Sequence, residues 1–267
     1  MEGIEEKRKR LREILRAHAP LLVAYSGGVD SAYLLAEAKV ALGDLGLLGV
    51  IADSASLPRK ALEGALKVAE EIGAKVEVVQ TGELMNPDYN SNPLNRCYFC
   101  KAELFGVLER IAGERRFQAI AYGENADDMR QVRPGRKAAE EYAVLAPLRD
   151  VGLSKAEIRW LSEQMGLPTA DAPAQPCLSS RIPHGTPVTA DALGMVEAGE
   201  EWVRSLGFRV FRVRHLVGED GRVVARLQVA PVEIDRISLV ESQLEQGLIA
   251  VGYSRMEVDP AGYRSAP

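Results

Sequence analysis

The first half of the chain alternates short, continuous apolar runs with stretches of helical periodicity. The apolar runs are residues 21–25, 47–52, 76–79 and 119–122, and the helical stretches between and after them are residues 32–41, 58–72 and 102–112. A strand that is apolar on both faces has to be covered on both faces, as in the parallel sheets built from strand–helix–strand units. The alternation therefore predicts an α/β fold, with helices on both faces of a parallel sheet.

The second half of the chain predicts a smaller α+β domain. Residues 167–189 contain five prolines and show no helical or strand period, which indicates a linker or a binding loop. After it come a helix at 190–206, two strand-like segments at 209–216 and 222–229, a second helix and a last apolar run at 248–253. We therefore predict a first domain at 1–170, an active-site loop at 171–188 and a C-terminal domain at 189–267, with a frayed tail after Asp259.

Charge and cysteine content limit the function classes. The 33 basic and 38 acidic residues give a net charge of -5, which disfavours a nucleic-acid partner. The charged N-terminus and the lack of an apolar run of about 20 residues predict a cytoplasmic protein without a membrane partner. Three cysteines are too few for a disulfide framework in 267 residues, so the Cys97-x-x-Cys100 pair indicates metal or redox chemistry.

The most specific motif lies between the first apolar run and the next helix. It reads Ala24-Tyr25-Ser26-Gly27-Gly28-Val29-Asp30-Ser31. The glycines permit a tight turn, and the free amides of the helix start, with the hydroxyls of Ser26 and Ser31, favour an anion such as phosphate. Asp30 repels phosphate, so its role would be to hold Mg²⁺. An ordinary glycine-rich turn is the simpler alternative, but the two serines and the acid favour a phosphate site.

This loop matches neither the Walker-type pattern nor the dinucleotide fingerprint. It resembles the PP-loop of the ATP pyrophosphatase superfamily, whose adenine nucleotide alpha hydrolase-like fold cleaves ATP between its α and β phosphates. Further motifs follow in order: Asp53-Ser54, Cys97-Tyr98-Phe99-Cys100-Lys101, Gly123-Glu124-Asn125-Ala126-Asp127-Asp128, Arg133-Pro134-Gly135, and Cys177-Leu178-Ser179-Ser180-Arg181. Over nearly the whole chain, this series closely resembles the LarE family, pyridinium-3,5-biscarboxylic acid mononucleotide sulfurtransferases. These enzymes adenylylate a carboxylate and convert it to a thiocarboxylate in the biosynthesis of the nickel-pincer nucleotide cofactor of lactate racemase.

The resemblance implies two groups of site residues. Those around ATP and its metal would be Ala24, Ser26, Gly27, Gly28, Asp30, Ser31, Asp53, Ser54, Gly123 and Asn125. Those near the small-molecule nucleotide substrate would be Ser180, Arg181, Glu200, Arg212 and Arg214. Arg212 and Arg214 would share one face of a strand and grip an anion, although a solvated strand face is an equal alternative. Glu124 stands where many superfamily members have Thr, and Gln228 stands where an acid is expected, so Gln228 is left out. The resemblance also implies a homo-hexamer.

The cysteines allow two routes for sulfur. In family members that sacrifice a cysteine, the donor corresponds to Cys177, whose thiolate would attack the acyl-adenylate and end as dehydroalanine. Here Cys97, Cys100 and Cys177 could instead hold three irons of a 4Fe-4S cluster, leaving the fourth iron for a sulfide taken from a sulfide donor. The ligand count favours the cluster. A zinc site that includes His184, or plain thiols at 97 and 100, are further alternatives.

Three other functions compete. A tRNA-thiolating enzyme shares the PP-loop and three cysteines, but it needs a broad basic surface. An amide-forming synthetase would not require Cys177. A nucleotide-sensing module without turnover would leave Asp30 and the cysteines without a role.

Overall fold

The chain divides into two compact units, neither of which is one continuous stretch. The computed structural model describes residues 2–130, 133–173 and 176–263. The first unit comprises Met1–Glu83 and Asn95–Gln175, and the second comprises Leu84–Leu94 and Pro176–Pro267. None of the helices in the described ranges is long and apolar enough to cross a membrane.

The first unit is built on a parallel sheet. Its elements in chain order are α1 (Glu2–Ala17), β1 (Leu21–Ala24), α2 (Val29–Leu42), β2 (Leu47–Asp53), α3 (Arg59–Ile72), β3 (Val76–Gln80), and, after the short α4 (Pro87–Asn90) of the second unit, α5 (Arg96–Arg115), β4 (Ala119–Tyr122), α6 (Pro134–Glu141), α7 (Pro147–Asp150) and α8 (Lys155–Gln164). The strand order is β3-β2-β1-β4, and every neighbouring pair is parallel. The predicted α/β class is confirmed.

The continuous apolar character of β1 has a simple cause, because both faces of this central strand are buried. Leu21 and Val23 pack into a cluster with Leu11 of α1, while Leu22 packs on the opposite side with Phe105 of α5. Strand alternation sends neighbouring side chains to opposite faces, so each face needs its own apolar partners.

The second unit contains α9 (Ala190–Ser205), β5 (Phe211–Val217), β6 (Val223–Val229), α10 (Ile237–Val251) and β7 (Arg255–Val258). β5 and β6 form the predicted antiparallel hairpin, and β7 joins β6 in parallel. The apolar run at 248–253 is not a strand: it ends α10, and its buried Leu248 and Tyr253 face the core.

Two of the predicted boundaries need correction. Residues 84–94 belong to the second unit, because the side chain of Asn92 donates hydrogen bonds to the carbonyls of Pro183 and Thr186, both at 2.8 Å. The chain beyond Asp259 is not frayed up to Tyr263, whose amide donates to the carbonyl of Val229 at 2.8 Å. The rest of the predicted tail, residues 264–267, lies outside the described residues.

Candidate functional site

The glycine-rich loop lies at the carboxyl edge of the parallel sheet. It follows Ala24, the last residue of β1, which pairs with Val50 of β2 and Tyr122 of β4. The strand order reverses direction between β1 and β4, the place where open α/β sheets bind ligands. Gly28 is the N-cap of α2 in an extended conformation, and no side chain caps the helix there. The first-turn amides and the helix dipole therefore favour an anion at this position.

Two glycines are required by close contacts. Gly27 has a φ of +74°, and a Cβ at this residue would lie 2.4 Å from the Cβ of Ala65. Gly123 follows β4, and a Cβ there would lie 2.8 Å from the backbone nitrogen of Ser31. The loop, α3 and the end of β4 thus approach each other too closely for any side chain at these two positions.

The two loop serines differ in their surroundings. The Ser31 hydroxyl is buried, donates to the carbonyl of Gly28 at 3.0 Å, and accepts from the amide of Ser26 at 3.2 Å. Ser26 is exposed, and its Oγ lies 3.0 Å from the Oγ of Ser31. Ser31 therefore holds the shape of the loop, whereas Ser26 presents its hydroxyl to solvent or a ligand.

Asp30 carries the strongest indication of a cation. Its Oδ2 accepts from the Nζ of Lys155 at 2.8 Å and from the Nδ2 of Asn125 at 3.2 Å. Its Oδ1 is buried and has no hydrogen-bond partner among the described residues. A buried carboxylate oxygen without a partner is costly unless something else binds it, so Asp30 fits a magnesium ligand. Lys155 was not predicted as a site residue, because it is 125 positions away in the sequence.

The turn after β4 holds Asn125 towards Asp30. The Oδ1 of Asn125 accepts from the amides of Asp127 at 2.9 Å and Asp128 at 3.2 Å. Its own amide donates to the Oδ2 of Asp128 at 3.1 Å. These bonds fix the side chain so that only its Nδ2 reaches Asp30, as a positioning group would.

Glu124 forms a buried cluster behind this turn. Its carboxylate accepts from the hydroxyl of Tyr122 at 2.6 Å and from the guanidinium groups of Arg136 and Arg149, each at 2.9 Å. Burial raises the pKa of Glu124, but these three donors more than offset it, and the pKa lies below its ordinary value. Arg136 also donates to the carbonyl of Asp128 at 2.7 Å. The acid in place of Thr therefore anchors the turn from behind.

Asp53 and Ser54 lie at the carboxyl end of β2, as the resemblance implied. Asp53 pairs with Arg59, which holds the pKa of this carboxyl below its usual range, and it accepts from Gln80 at 2.6 Å. The buried Ser54 hydroxyl lies 3.0 Å from that of Ser56. Both side chains hold the loop in place, and neither is an isolated surface group.

Cys97 and Cys100 lie in the first turn of α5. Their spacing of three residues puts both on one side of the helix, where Cys97 is exposed and Cys100 is half-buried. Thiolates are stabilised at a helix N-terminus, so the pair suits metal or sulfur chemistry. No group of three or more His, Cys, Asp or Glu among the described residues is arranged to hold a metal.

In the second unit, Arg181 holds the Cys177 segment. Cys177 is half-buried at the start of a 3-10 helix, Leu178–Arg181. The buried guanidinium of Arg181 pairs with both carboxylate oxygens of Glu200, at 2.7 and 3.0 Å. It also donates to the carbonyls of Pro176 at 2.6 Å and Cys177 at 3.0 Å. Arg181 and Glu200, predicted as substrate residues, therefore use most of their hydrogen-bonding groups within the protein.

Arg212 and Arg214 both lie on β5 and keep donors available. Arg212 donates to the hydroxyl of Tyr263 at 3.1 Å, and Arg214 donates to the carbonyl of Ser180 at 2.7 Å and to Gln228 at 2.9 Å. Burial, followed by the charges of Arg212 and Arg181, lowers the pKa of Arg214. A positive group whose charge is this poorly compensated favours an anion. Gln228 is therefore a neighbour of the arginines, which the sequence analysis missed.

Comparisons with known proteins agree with this arrangement. An uncharacterized protein of Synechocystis sp. is 40% identical over 268 residues, which cover 98% of this chain and 96% of that protein. The pyridinium-3,5-bisthiocarboxylic acid mononucleotide synthase of Lactiplantibacillus plantarum is 29% identical and covers 99% of the chain and 94% of that synthase. The chain belongs to the LarE-like family.

Outside the LarE-like family, one subunit of the glutamine-hydrolysing GMP synthase of Methanococcus maripaludis is 28% identical over 186 residues, which cover 66% of this chain and 57% of that polypeptide. No protein-family model matches the chain. The sheet order, the loop after β1 and these similarities together give a PP-loop α/β fold with a C-terminal domain.

Proposed function

We propose that this LarE-like protein is an ATP-dependent sulfur transferase. In this proposal it adenylylates a carboxylate of pyridinium-3,5-biscarboxylic acid mononucleotide and converts that carboxylate to a thiocarboxylate, as a step in nickel-pincer nucleotide biosynthesis. The observation that carries it is the buried, unpartnered Oδ1 of Asp30 beside an uncapped helix N-terminus. The name of the Lactiplantibacillus relative supplies the substrate class.

The first half-reaction would use the groups around the glycine-rich loop. The amides at the start of α2 and the exposed Ser26 hydroxyl would bind the phosphates, and Asp53 and Ser54 would lie beside the nucleoside. Asp30, with Asn125 as its positioning neighbour, would hold Mg²⁺, whose charge stabilises the pyrophosphate that leaves. A substrate carboxylate oxygen attacks the α-phosphorus, the bond to the bridging oxygen breaks, and an acyl-adenylate and pyrophosphate form.

The second unit would bind the substrate's anionic groups. Arg212 and Arg214 keep N–H donors that no described protein group accepts, and their mutual repulsion is relieved when an anion binds. Ser180 lies beside them, since its carbonyl accepts from Arg214. Arg181 and Glu200 would shape this site by fixing the Cys177 segment. The same unit, residues 189–267 in our sequence prediction, would carry the contacts of a homo-hexamer.

For the sulfur step we propose a 4Fe-4S cluster held by Cys97, Cys100 and Cys177, which would supply sulfide to the acyl-adenylate. The three accessible thiols and the reducing cytoplasm in which we place the protein suit these ligands. The alternative is supported by the half-buried position of Cys177 in a firmly held segment. In it the thiolate attacks the acyl carbon, AMP leaves, loss of the Cys177 α-proton breaks the Cβ–S bond, and dehydroalanine remains.

The experiment that tests the function is substrate-dependent pyrophosphate release. Wild-type protein with ATP, Mg²⁺ and the biscarboxylic acid mononucleotide is expected to release pyrophosphate and to form a thiocarboxylate detectable by mass spectrometry. Asp30→Asn is expected to lose pyrophosphate release, whereas Asp44→Asn, at an exposed surface ion pair, is the matched control and is expected to keep it. No release with this or any other carboxylate would overturn the proposal.

A second measurement separates the two sulfur routes. Protein purified without oxygen is analysed for iron, labile sulfide and zinc, beside a Cys97→Ser variant. About four irons per chain, lost in the variant, would support the cluster. Absence of iron together with a loss of about 34 mass units from the Cys177 peptide after one turnover, the elements of H₂S, would support sacrifice of Cys177.

A further inference from the structure

The segment that carries Cys177 is held by a piece of chain from much earlier in the sequence. This piece, residues 84–94, is called the supporting segment here. It contains α4, which ends at Asn90, and it belongs to the second unit. Neither the proposed chemistry nor the sequence motifs gave it a role.

Tyr89 makes the contact nearest to the cysteine. Its hydroxyl lies 2.7 Å from the Oγ of Ser179, two residues beyond Cys177, and both side chains are almost completely buried. A buried hydroxyl pair is costly to separate, because each group loses its partner without gaining water. The Tyr89 contact therefore fixes Ser179, and with it the turn that begins at Cys177.

Asn92 holds the other end of the same segment. It is fully buried in a left-handed conformation with a φ of 54°, which Asn adopts more readily than other side-chain-bearing residues. Its Nδ2 donates to the carbonyls of Pro183 and Thr186, each at 2.8 Å. Its carbonyl accepts from the amide of Gly185 at 3.0 Å.

The opposite side of the segment is held by guanidinium groups. Arg181 donates to the carbonyls of Pro176 and Cys177, and Arg214 donates to the carbonyl of Ser180. The backbone around Cys177 is thus fixed from two directions, although its side chain stays partly exposed. A firmly held backbone beneath an accessible thiol is the arrangement that a reacting group needs.

We propose that Tyr89 and Asn92 are positioning residues that fix the Cys177 thiol for the sulfur step. The proposal rests on the proposed function and extends it to residues that touch neither ATP nor the substrate anion. A displacement of a reacting group by about 1 Å can cost about 100-fold in rate. We therefore expect Tyr89→Phe and Asn92→Gly to slow sulfur transfer by about tenfold or more while leaving adenylylation unchanged. Glycine at 92 keeps the backbone conformation and removes only the side-chain bonds.

The test has one readout that depends on the enzyme reaction and two that do not. Single-turnover thiocarboxylate formation is compared with pyrophosphate release in wild type, Tyr89→Phe, Asn92→Gly and the control Ser91→Ala, an exposed residue of the same segment. Alkylation of Cys177 by iodoacetamide is then timed in a Cys97→Ser, Cys100→Ser background. Both test variants are expected to be alkylated about threefold faster or more, because local opening exposes the thiol, and Ser91→Ala is expected to match its background.

The third readout needs no variant. The amides of Gly185 and Val188, which donate to the carbonyls of Asn92 and Asn90, are expected to be protected from hydrogen exchange in the wild type. Exchange there at the rate of an open loop would overturn the proposal. So would wild-type alkylation and transfer rates in Tyr89→Phe and Asn92→Gly, even if both variants were less stable. Absence of pyrophosphate release in the wild type would instead overturn the proposed function, and alkylation and exchange would still decide the positioning role.

Discussion

Gly27 provides the sharpest test of the loop geometry. Replacement by Ala places a Cβ on a residue with a φ of +74°, which costs about 1–2 kcal/mol for an L-residue in the left-handed region. The new Cβ would also lie 2.4 Å from the Cβ of Ala65, and such overpacking costs about 1–3 kcal/mol. Gly27→Ala is therefore expected to lower the free energy of unfolding by about 2–5 kcal/mol.

The two contributions can be separated by a second variant. Ala65→Gly removes the opposing methyl group but costs about 1 kcal/mol in the helix α3. The double variant relieves the clash and keeps the backbone strain, so the two changes are expected to be coupled favourably by about 1–3 kcal/mol. Urea unfolding of the four proteins, followed by circular dichroism, measures this coupling. A loss below about 0.5 kcal/mol in Gly27→Ala, or no coupling with Ala65→Gly, would refute the reasoning.

Three further predictions follow from charged or titratable groups. Lys155→Ala removes the ammonium that competes for Asp30, so Mn²⁺ binding to the nucleotide-free protein is expected to tighten about fivefold, and unchanged titration curves would contradict this. Glu200→Gln leaves the buried Arg181 without its counter-charge and is expected to cost about 3–5 kcal/mol of unfolding free energy in urea, whereas a loss below about 1 kcal/mol would contradict the pairing. Burial lowers the pKa of His215 below its ordinary 6.5, so the unfolded chain binds the proton more readily and stability falls as pH drops below 6.5; His215→Phe is expected to flatten the urea midpoint between pH 7 and 5, and an equally steep variant would show that another group titrates.

The sequence was sufficient for features that repeat over short distances. The apolar runs at 21–25 and 47–52 predicted buried strands because both faces of β1 and β2 are covered. The glycine-rich loop was placed correctly because a strand, a tight turn and a helix start follow each other within ten residues. Arg212 and Arg214 were predicted to share one face of a strand, and both lie on β5.

What the sequence did not reveal depends on contacts between distant residues. Lys155 reaches Asp30 across 125 positions, and Asn92 reaches Pro183 across 91. Neither contact has a local period or motif. Residues 84–94 form only one short helix, so nothing in their composition distinguished a loop of the first unit from a part of the second.

The arginines of the second unit show why residue type alone does not define a binding site. Arg181 and Arg214 approach the same backbone turn, and both were predicted near the substrate. Arg181 spends its donors on Glu200 and two carbonyls, so its charge is compensated before any ligand arrives. Arg214 has a neutral partner in Gln228 and lies near two other arginines, which lower its pKa. An anion therefore gains more from Arg214 than from Arg181, because the free energy of binding reflects the charge that the protein has left uncompensated.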